Sequence, residues 1–102
     1  MSKGTLHIVS PDGVTHQQRV ETSKGPSLDV LQAAVGGYIE RVSVRYDGKV
    51  RDAYINEEGK LKGLNYNRDA TRMWHAVPVT NRADVLVGPV AVWVPDAKVK
   101  KA

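Results

Sequence analysis

The strongest constraint on the fold is a nearly continuous apolar run at residues 85–94, which reads Val-Leu-Val-Gly-Pro-Val-Ala-Val-Trp-Val. A strand with one solvated face alternates polar and apolar residues, whereas this run has almost no polar position. We therefore expect a strand that is covered on both sides. Gly88-Pro89 interrupts the run, and because proline cannot donate to a sheet ladder, a bulge or a sheet edge is expected there. As an exposed edge, residues 85–94 would also allow a homodimer to form through this strand.

Four further segments have the alternation and flanking turn residues of strands, and two have the caps and periodicity of short helices. The Pro-Asp-Gly at 11–13 predicts a loop between two N-terminal strands, and Asp-Gly at 47–48 lies between two more. Ser27 and Asn67 are suitable N-caps for helices that end near residues 35 and 75. The order β-β-α-β-β-α-β predicts a small α+β domain, with a mainly antiparallel sheet of about five strands and two short helices packed on one face.

The register of the hairpin over residues 38–56 decides which side chains share a face. A two-residue Asp-Gly turn would place Val44 opposite Arg51 and send the apolar residues of the two strands to opposite faces. A three-residue loop lets both apolar sets share one face, so the hydrophobic pattern favours the longer loop. That register gathers Arg41, Arg45 and Arg51 on the other face. Arg45 then opposes Arg51, and either acids such as Asp47 or Asp52 or the anionic groups of a partner would relieve their repulsion.

The length of 102 residues is sufficient for one domain. We place this domain at residues 5–95, between an N-terminal lead at 1–4 and a basic flexible tail at 96–102. The formal net charge is +4, and three of the lysines that produce it lie in the tail. Without them the charges of the folded body nearly balance, which is not typical of a domain that binds nucleic acid over a basic face.

The sequence contains no cysteine, which excludes disulfides, thiolate metal sites and cysteine nucleophiles. No segment has the length and hydropathy of a membrane span, and the first residues do not have the pattern of a signal peptide. We therefore expect a cytoplasmic protein.

The remaining candidates for ligand chemistry have ordinary structural explanations. Gly36-Gly37 follows a predicted helix, whereas a phosphate loop precedes one, so we expect a C-cap. His7, His16 and His75 are too scattered in the pattern to predict a zinc site. We predict no catalytic, cofactor-binding or metal-binding residues and no enzymatic activity.

Several separated segments together form a recognisable succession. They are Val35-Gly36-Gly37-Tyr38-Ile39-Glu40, Asn56-Glu57-Glu58-Gly59-Lys60-Leu61, Gly63-Leu64 with Asn67 and Ala70-Thr71, and Asp84-Val85-Leu86-Val87-Gly88. This succession resembles an uncharacterised domain family of unknown function, encoded mostly by bacteriophages and other bacterial mobile elements. The resemblance extends over roughly residues 5–94, and the chain departs from it at Asn65, where family members commonly have proline. It implies no established activity, only a small accessory protein in the cytoplasm of an infected bacterium.

The resulting hypothesis is a non-enzymatic accessory protein of phage type that binds and modulates a bacterial host protein. Glu57 and Glu58 are adjacent in a loop, where neighbouring side chains diverge, so a contact surface is a better interpretation than a cation or acid–base site. The predicted contact residues are Arg41, Arg45, Arg51, Asn56, Glu57, Glu58, Lys60, Lys62 and Tyr66.

Two alternatives stay open. One is nucleic-acid binding, and the other is a sponge that captures a nucleotide signal between protomers. The nucleic-acid surface would consist of Arg41, Arg45, Arg51, Lys98, Lys100 and Lys101.

Overall fold

The computed structural model describes residues 2–78 and 80–97. Within these residues the elements are β1 (Gly4–Val9), β2 (Thr15–Val20), α1 (Leu28–Val35), β3 (Ile39–Tyr46), β4 (Lys49–Asn56), α2 (Arg68–His75) and β5 (Val90–Pro95). The strands form one antiparallel sheet in the spatial order β2-β1-β5-β4-β3. The predicted α+β class is confirmed. No helix in the described part of the chain is long and apolar enough to cross a bilayer.

The central strand β5 is buried on both faces, as its apolar run predicts. Val90, Ala91 and Val92 have no exposed surface, and Trp93 is 7% exposed. β1 pairs with one side of β5 and β4 with the other. The interpretation of this strand as an exposed edge for a homodimer is therefore wrong, because β5 lies in the interior of the sheet. Whether the chain forms a homodimer stays untested by this arrangement of the strands.

The apolar run is divided into two segments at Gly88. This glycine has a φ of +74°, and a Cβ there would lie 2.7 Å from the side chain of Leu64, so the sharp turn requires glycine. β5 begins after the turn at Val90, whereas Val87 forms an isolated bridge with Tyr66. Residues 85–87 thus leave the sheet and lie against the chain that leads into α2.

The two helices pack on opposite faces of the sheet, so the prediction that they share one face is wrong. Leu31 of α1 lies in one buried cluster with Trp93 of β5. Ala70 of α2 lies in a second cluster with Val92. Val92 and Trp93 are adjacent in β5, so their side chains point to opposite faces of the sheet. Because β5 has apolar side chains on both faces, each face needs a cover, and each helix provides one.

The hairpin between β3 and β4 closes through a two-residue turn, so the predicted three-residue loop is also wrong. Asp47 and Gly48 have φ of +54° and +76°, which is typical of a tight type I′ turn. Tyr46 pairs with Lys49, and the two-residue turn pairs positions 44 and 51. The apolar residues of the two strands consequently point to both faces, where each set meets its own helix.

This register can be tested by cross-linking, because the sequence has no native cysteine. In the observed register Arg45 lies opposite Val50, so Arg45→Cys/Val50→Cys should close a disulfide on air oxidation of dilute protein. The control Arg45→Cys/Arg51→Cys places the two thiols on opposite faces and should stay reduced. Thiol titration and intact-mass measurement distinguish the two. Closure of the control pair alone would contradict the two-residue turn.

Asn67 joins three parts of the chain at the start of α2. Its side chain is fully buried, and its Oδ1 accepts a hydrogen bond from the backbone N of Ala70 at 3.0 Å, which caps the helix as predicted. Its Nδ2 donates to the carbonyl oxygens of Val9 and Gly88, both at 2.9 Å. One side chain therefore fixes α2 to the end of β1 and to the turn that precedes β5.

We expect Asn67→Ala to lower the free energy of unfolding by about 2–4 kcal/mol, because it removes a helix cap and leaves buried carbonyl groups without donors. Urea denaturation measures the change. The matched control is Asn65→Ala, an exposed site two residues away, which should stay within about 0.5 kcal/mol of the wild type. An equal loss in both variants would mean that Asn67 does not have this role.

Residues that flank the predicted domain at 5–95 also form contacts at both ends. β1 begins at Gly4, and the backbone N of Asp96 donates to the carbonyl oxygen of Lys3 at 2.9 Å. The Asp96 carboxylate also accepts two hydrogen bonds from the guanidinium of Arg19, each at 2.6 Å, which lower the pKa of Asp96. Most of the predicted basic tail lies outside the described residues.

Candidate functional site

A cleft of about 180 Å³ opens beside α2, on the face of the sheet that this helix covers. Its walls come from the start of β3, the end of β4, α2, and the segments 57–61 and 84–87. Apolar side chains form its floor, and charged side chains form its rim. The floor consists of Val42, Ile55, Trp74 and Leu86, and the rim of Glu40, Glu57, Lys60 and Asp84. The remaining lining residues are Asn56, Leu61, Val85 and Val87. We call this site the α2 cleft.

Asn56 sets the direction in which the chain leaves β4 and enters the rim. It is 5% exposed, and its Nδ2 donates to the carbonyl oxygen of Val35 at 3.3 Å while its Oδ1 accepts from the backbone N of Glu58 at 2.9 Å. The backbone N of Glu57 donates to the carbonyl oxygen of Tyr38 at 2.8 Å. Asn56, a predicted contact residue, lines the cleft, and its burial and two hydrogen bonds also give it a structural role. Its contact with a partner stays a prediction.

The opposite wall is the segment 84–87, which we call the strap, and hydrogen bonds hold it to α2 and to the residues before this helix. The backbone N of Leu86 donates to the hydroxyl oxygen of Thr71 at 2.9 Å, and the backbone N of Asn67 donates to the carbonyl oxygen of Leu86 at 3.0 Å. The backbone N of Gly88 donates to the carbonyl oxygen of Asn65 at 2.8 Å. Hydrogen bonds at the backbone of Leu86 and of Gly88 therefore fix the position of the strap around the floor residue Leu86.

An ion pair links the two loops that form the rim. Lys60 lies in the loop after β4, and its ammonium group contacts the carboxylate of Asp84 in the strap. The ammonium group, together with a hydrogen bond from the backbone N of Val85 at 2.8 Å, lowers the pKa of Asp84. The Nε2 of His75 lies 2.7 Å from the carbonyl oxygen of Asp84. These contacts hold the strap and the loop together across one side of the cleft.

The other two rim carboxylates are not neutralised in this way. Glu40 and Glu57 are exposed, and neither forms an ion pair with any residue in the described ranges. Since the charges of Lys60 and Asp84 cancel, the rim carries an excess of negative charge. The site is thus an apolar floor beneath an acidic edge.

The loop after β4 was predicted as a contact surface, and its residues divide into two groups. Glu57 and Lys60 lie on the rim of the α2 cleft. Tyr66 is 51% exposed and lies beside the strap, with which it forms the isolated bridge. Glu58 and Lys62 belong to the same loop but do not line the cleft. The loop therefore contributes to the site through part of its length only.

The three arginines do not form one surface, and this prediction is wrong. Arg41 and Arg45 point to the α1 face, where Arg41 donates to the carboxylate of Asp52 at 3.0 Å. Arg51 points to the α2 face opposite Val44, and its Nε is buried without a hydrogen-bond partner among the described residues. The two-residue turn is the cause, because it shifts the pairing by one residue. None of the three lines the α2 cleft, and the basic tail that would complete the nucleic-acid surface lies outside the described residues.

The glycine pair after α1 forms the predicted C-cap. Gly36 has a φ of +81°, and the backbone N atoms of Gly36 and Gly37 both donate to the carbonyl oxygen of Gln32, at 2.8 and 3.1 Å. Their N–H groups are therefore occupied by the helix end. In the part of the chain that the structure describes, no group of three or more His, Cys, Asp or Glu side chains is placed to hold a metal ion.

His7 and Tyr46, which are far apart in the sequence, form a polar contact on the α2 face. The hydroxyl oxygen of Tyr46 lies 3.0 Å from Nδ1 of His7. Burial lowers the pKa of His7. The negative charge of Asp47 acts against this shift, and the positive charge of Arg51 adds to it. Burial, assisted by Asp47, raises the pKa of Tyr46. The neutral imidazole, with its proton on Nε2, can accept a hydrogen bond from the Tyr46 hydroxyl at Nδ1.

Residues 5–99 match the family model of DUF3846, a domain of unknown function. The chain belongs to this family. No curated protein and no solved structure matches it. The membership confirms the resemblance to an uncharacterised domain family and assigns no activity to the DUF3846 domain.

Three of the segments that carry the resemblance meet at the α2 cleft. Glu40 ends the first segment, Glu57 and Lys60 belong to the second, and Asp84 begins the last. Sequence reasoning selects only the second segment as a contact surface. The first and last segments are noticeable only through the resemblance, and no periodicity in the sequence indicates that they lie close together. Trp74 of α2 lines the cleft and also packs against the buried cluster on this face.

The lowered pKa of His7 predicts a pH dependence of stability. Since the folded pKa lies below the unfolded value of about 6.5, the unfolded chain takes up the proton first as the pH falls. The stabilisation is present above pH 6.5 and is lost as the pH falls toward the folded pKa. The carboxylates of Asp84 and Asp96 lose their contributions only below about pH 4, because their pKa values are lowered.

Urea denaturation between pH 7.5 and 5 should therefore show a declining free energy of unfolding for the wild type. His7→Gln should flatten the decline in this range, whereas His16→Gln, on the exposed edge strand β2, should retain it. An unchanged slope in His7→Gln would contradict this assignment.

Proposed function

We propose that the protein is a non-enzymatic binding module that holds a segment of another protein in the α2 cleft. The observation that carries the proposal is an open apolar cleft bounded by two loops and a helix. Sites of this form, with apolar walls and a few polar groups at the edge, are typical of binding surfaces. The binding of a partner there needs no chemical step.

Exposed apolar side chains around the cleft support a macromolecular partner. Leu61 on its wall is 88% exposed, and Val85 in the strap is 36% exposed. Tyr38 and Tyr66 are 65% and 51% exposed, and both are tied by backbone contacts to segments that line the cleft. A cluster of large apolar side chains at the surface usually marks an interaction site, whereas a loop that only faces solvent seldom has one.

In the fuller form of the proposal, the module is a phage-type accessory protein that modulates a bacterial host protein in the cytoplasm. The support for this setting is the resemblance of the sequence to domains encoded by phages and mobile elements. Modulation would follow from occupancy, since a partner segment held in the cleft is withdrawn from its other contacts.

The two alternatives fit the geometry less well. A nucleic-acid surface needs clustered basic groups, whereas Arg51 lies on the opposite face from Arg41 and Arg45. A nucleotide would meet the acidic rim of a cleft that is smaller than the roughly 300 Å³ at the low end for small-molecule sites. Both stay predictions for the remaining surface of the protein.

The proposal predicts that changes at the cleft wall abolish capture of a partner. Tagged protein should retain a host protein from nuclease-treated lysate, and Leu61→Glu and Val85→Glu should each lose it, because a carboxylate would be placed on the apolar contact. Quantitative mass spectrometry of the retained proteins measures the loss.

The matched control is Val14→Glu, at a valine that is 46% exposed in the loop between β1 and β2. It should retain the partner as the wild type does. Equal retention by all three variants would contradict the proposal. Retention by the wild type that nuclease treatment abolishes would also contradict it, and would favour nucleic-acid binding.

A further inference from the structure

We propose that the α2 cleft accepts one large apolar side chain of an extended or looped partner segment, and that Glu40 and Glu57 select a lysine or arginine next to it. This inference rests on the proposed binding function and specifies the chemistry of the partner. The recognised element of the partner is then a short motif, which consists of one apolar anchor and a basic neighbour. A broad complementary surface is not required.

The volume of the cleft sets the size of the anchor. A buried apolar cavity of about 150 Å³ holds a single benzene molecule, and the α2 cleft measures about 180 Å³. One side chain of the size of phenylalanine, leucine or methionine therefore fits, and two do not. The limit follows from volume alone and does not depend on the charge of the rim.

The floor sets the polarity of the anchor. Val42, Ile55 and Leu86 offer hydrocarbon surface, and the indole of Trp74 adds an aromatic face. Among the described residues, the single buried side-chain atom that lacks a hydrogen-bond partner is Nε of Arg51, which does not line the cleft. The floor therefore presents no unsatisfied group to a polar anchor, and burying such an anchor there would cost free energy that an apolar one avoids.

The rim sets the charge of the neighbouring residue. Lys60 and Asp84 neutralise each other, whereas Glu40 and Glu57 have no cationic partner in residues 2–78 and 80–97. The whole chain carries a net charge of +4, so the acidic rim is opposite in sign to the protein as a whole. General electrostatics would favour an acidic partner, and only this local excess favours a basic one.

Selection from a random heptapeptide display library tests the motif directly, because it does not require an identified partner. The full chain and the charge-reversed variant Glu40→Lys/Glu57→Lys are screened in parallel, after circular dichroism shows that both are folded. The wild type should enrich peptides with one large apolar residue next to lysine or arginine. The variant should enrich the same anchor next to aspartate or glutamate.

The affinity of the best wild-type peptide then measures the contribution of the rim. Charge reversal of both glutamates should weaken binding about tenfold at low salt, and less at high salt, because exposed ion pairs are individually weak and screened. The neutral variant Glu40→Gln/Glu57→Gln should fall between the two. The control Asp29→Lys, on the first turn of α1 across the sheet, should bind as the wild type does.

The outcomes separate this inference from the proposed function. Peptides that lose binding in Leu61→Glu but are indifferent to the glutamate variants would overturn the basic neighbour and leave the binding module intact. Peptides that bind equally well to Leu61→Glu would place recognition outside the cleft and contradict both. Enrichment of peptides without an apolar anchor, or of none at all, would overturn the motif itself.

Discussion

The fold depends on the burial of β5 on both faces. A strand with Val90, Ala91, Val92 and Trp93 in succession cannot have one face in water without a loss of hydrophobic stabilisation, since a buried valine side chain alone contributes about 1.5–3 kcal/mol. Two strands protect its edges, and one helix protects each face. The three layers follow from this requirement. The α2 cleft lies at the margin of one of them, where the cover is incomplete.

A single assumption accounts for the main errors of sequence-based prediction. The apolar run itself indicates cover on both sides, yet the predictions for the hairpin and the helices assume that only one face is buried. Under that assumption Val44 and Val50 must share a face, which demands a three-residue loop and gathers the arginines. With both faces covered, Val44 and Val50 can point apart, and the Asp-Gly turn adopts the tight form that its sequence favours. Local turn chemistry was therefore the better guide to the register.

The local features of the fold were predictable, and the site was predictable only in part. Caps at Ser27, Gly36 and Asn67 depend on neighbouring residues, so their sequence signals are direct. The cleft depends on contacts between distant segments, such as Lys60 with Asp84, and no periodicity encodes these. Asn56 shows the ambiguity at its clearest, because a polar residue in a loop fits a contact surface and a buried hydrogen-bond hub equally well until its burial is known. Residues of three segments that carry the resemblance line the cleft, and the sequence pattern alone does not indicate that these segments converge.

The central claim is that a partner segment occupies the α2 cleft, and the two tryptophans of the chain provide the most direct test. Trp74 lines the cleft, whereas Trp93 is packed against α1 on the other face of the sheet. The indole N–H resonances of ¹⁵N-labelled protein can be followed while the captured partner or a selected peptide is added, with Trp74→Phe to assign them. The account predicts that the Trp74 resonance shifts or broadens and that the Trp93 resonance stays in place. A change at Trp93 with none at Trp74 would place the binding surface on the opposite face and contradict it.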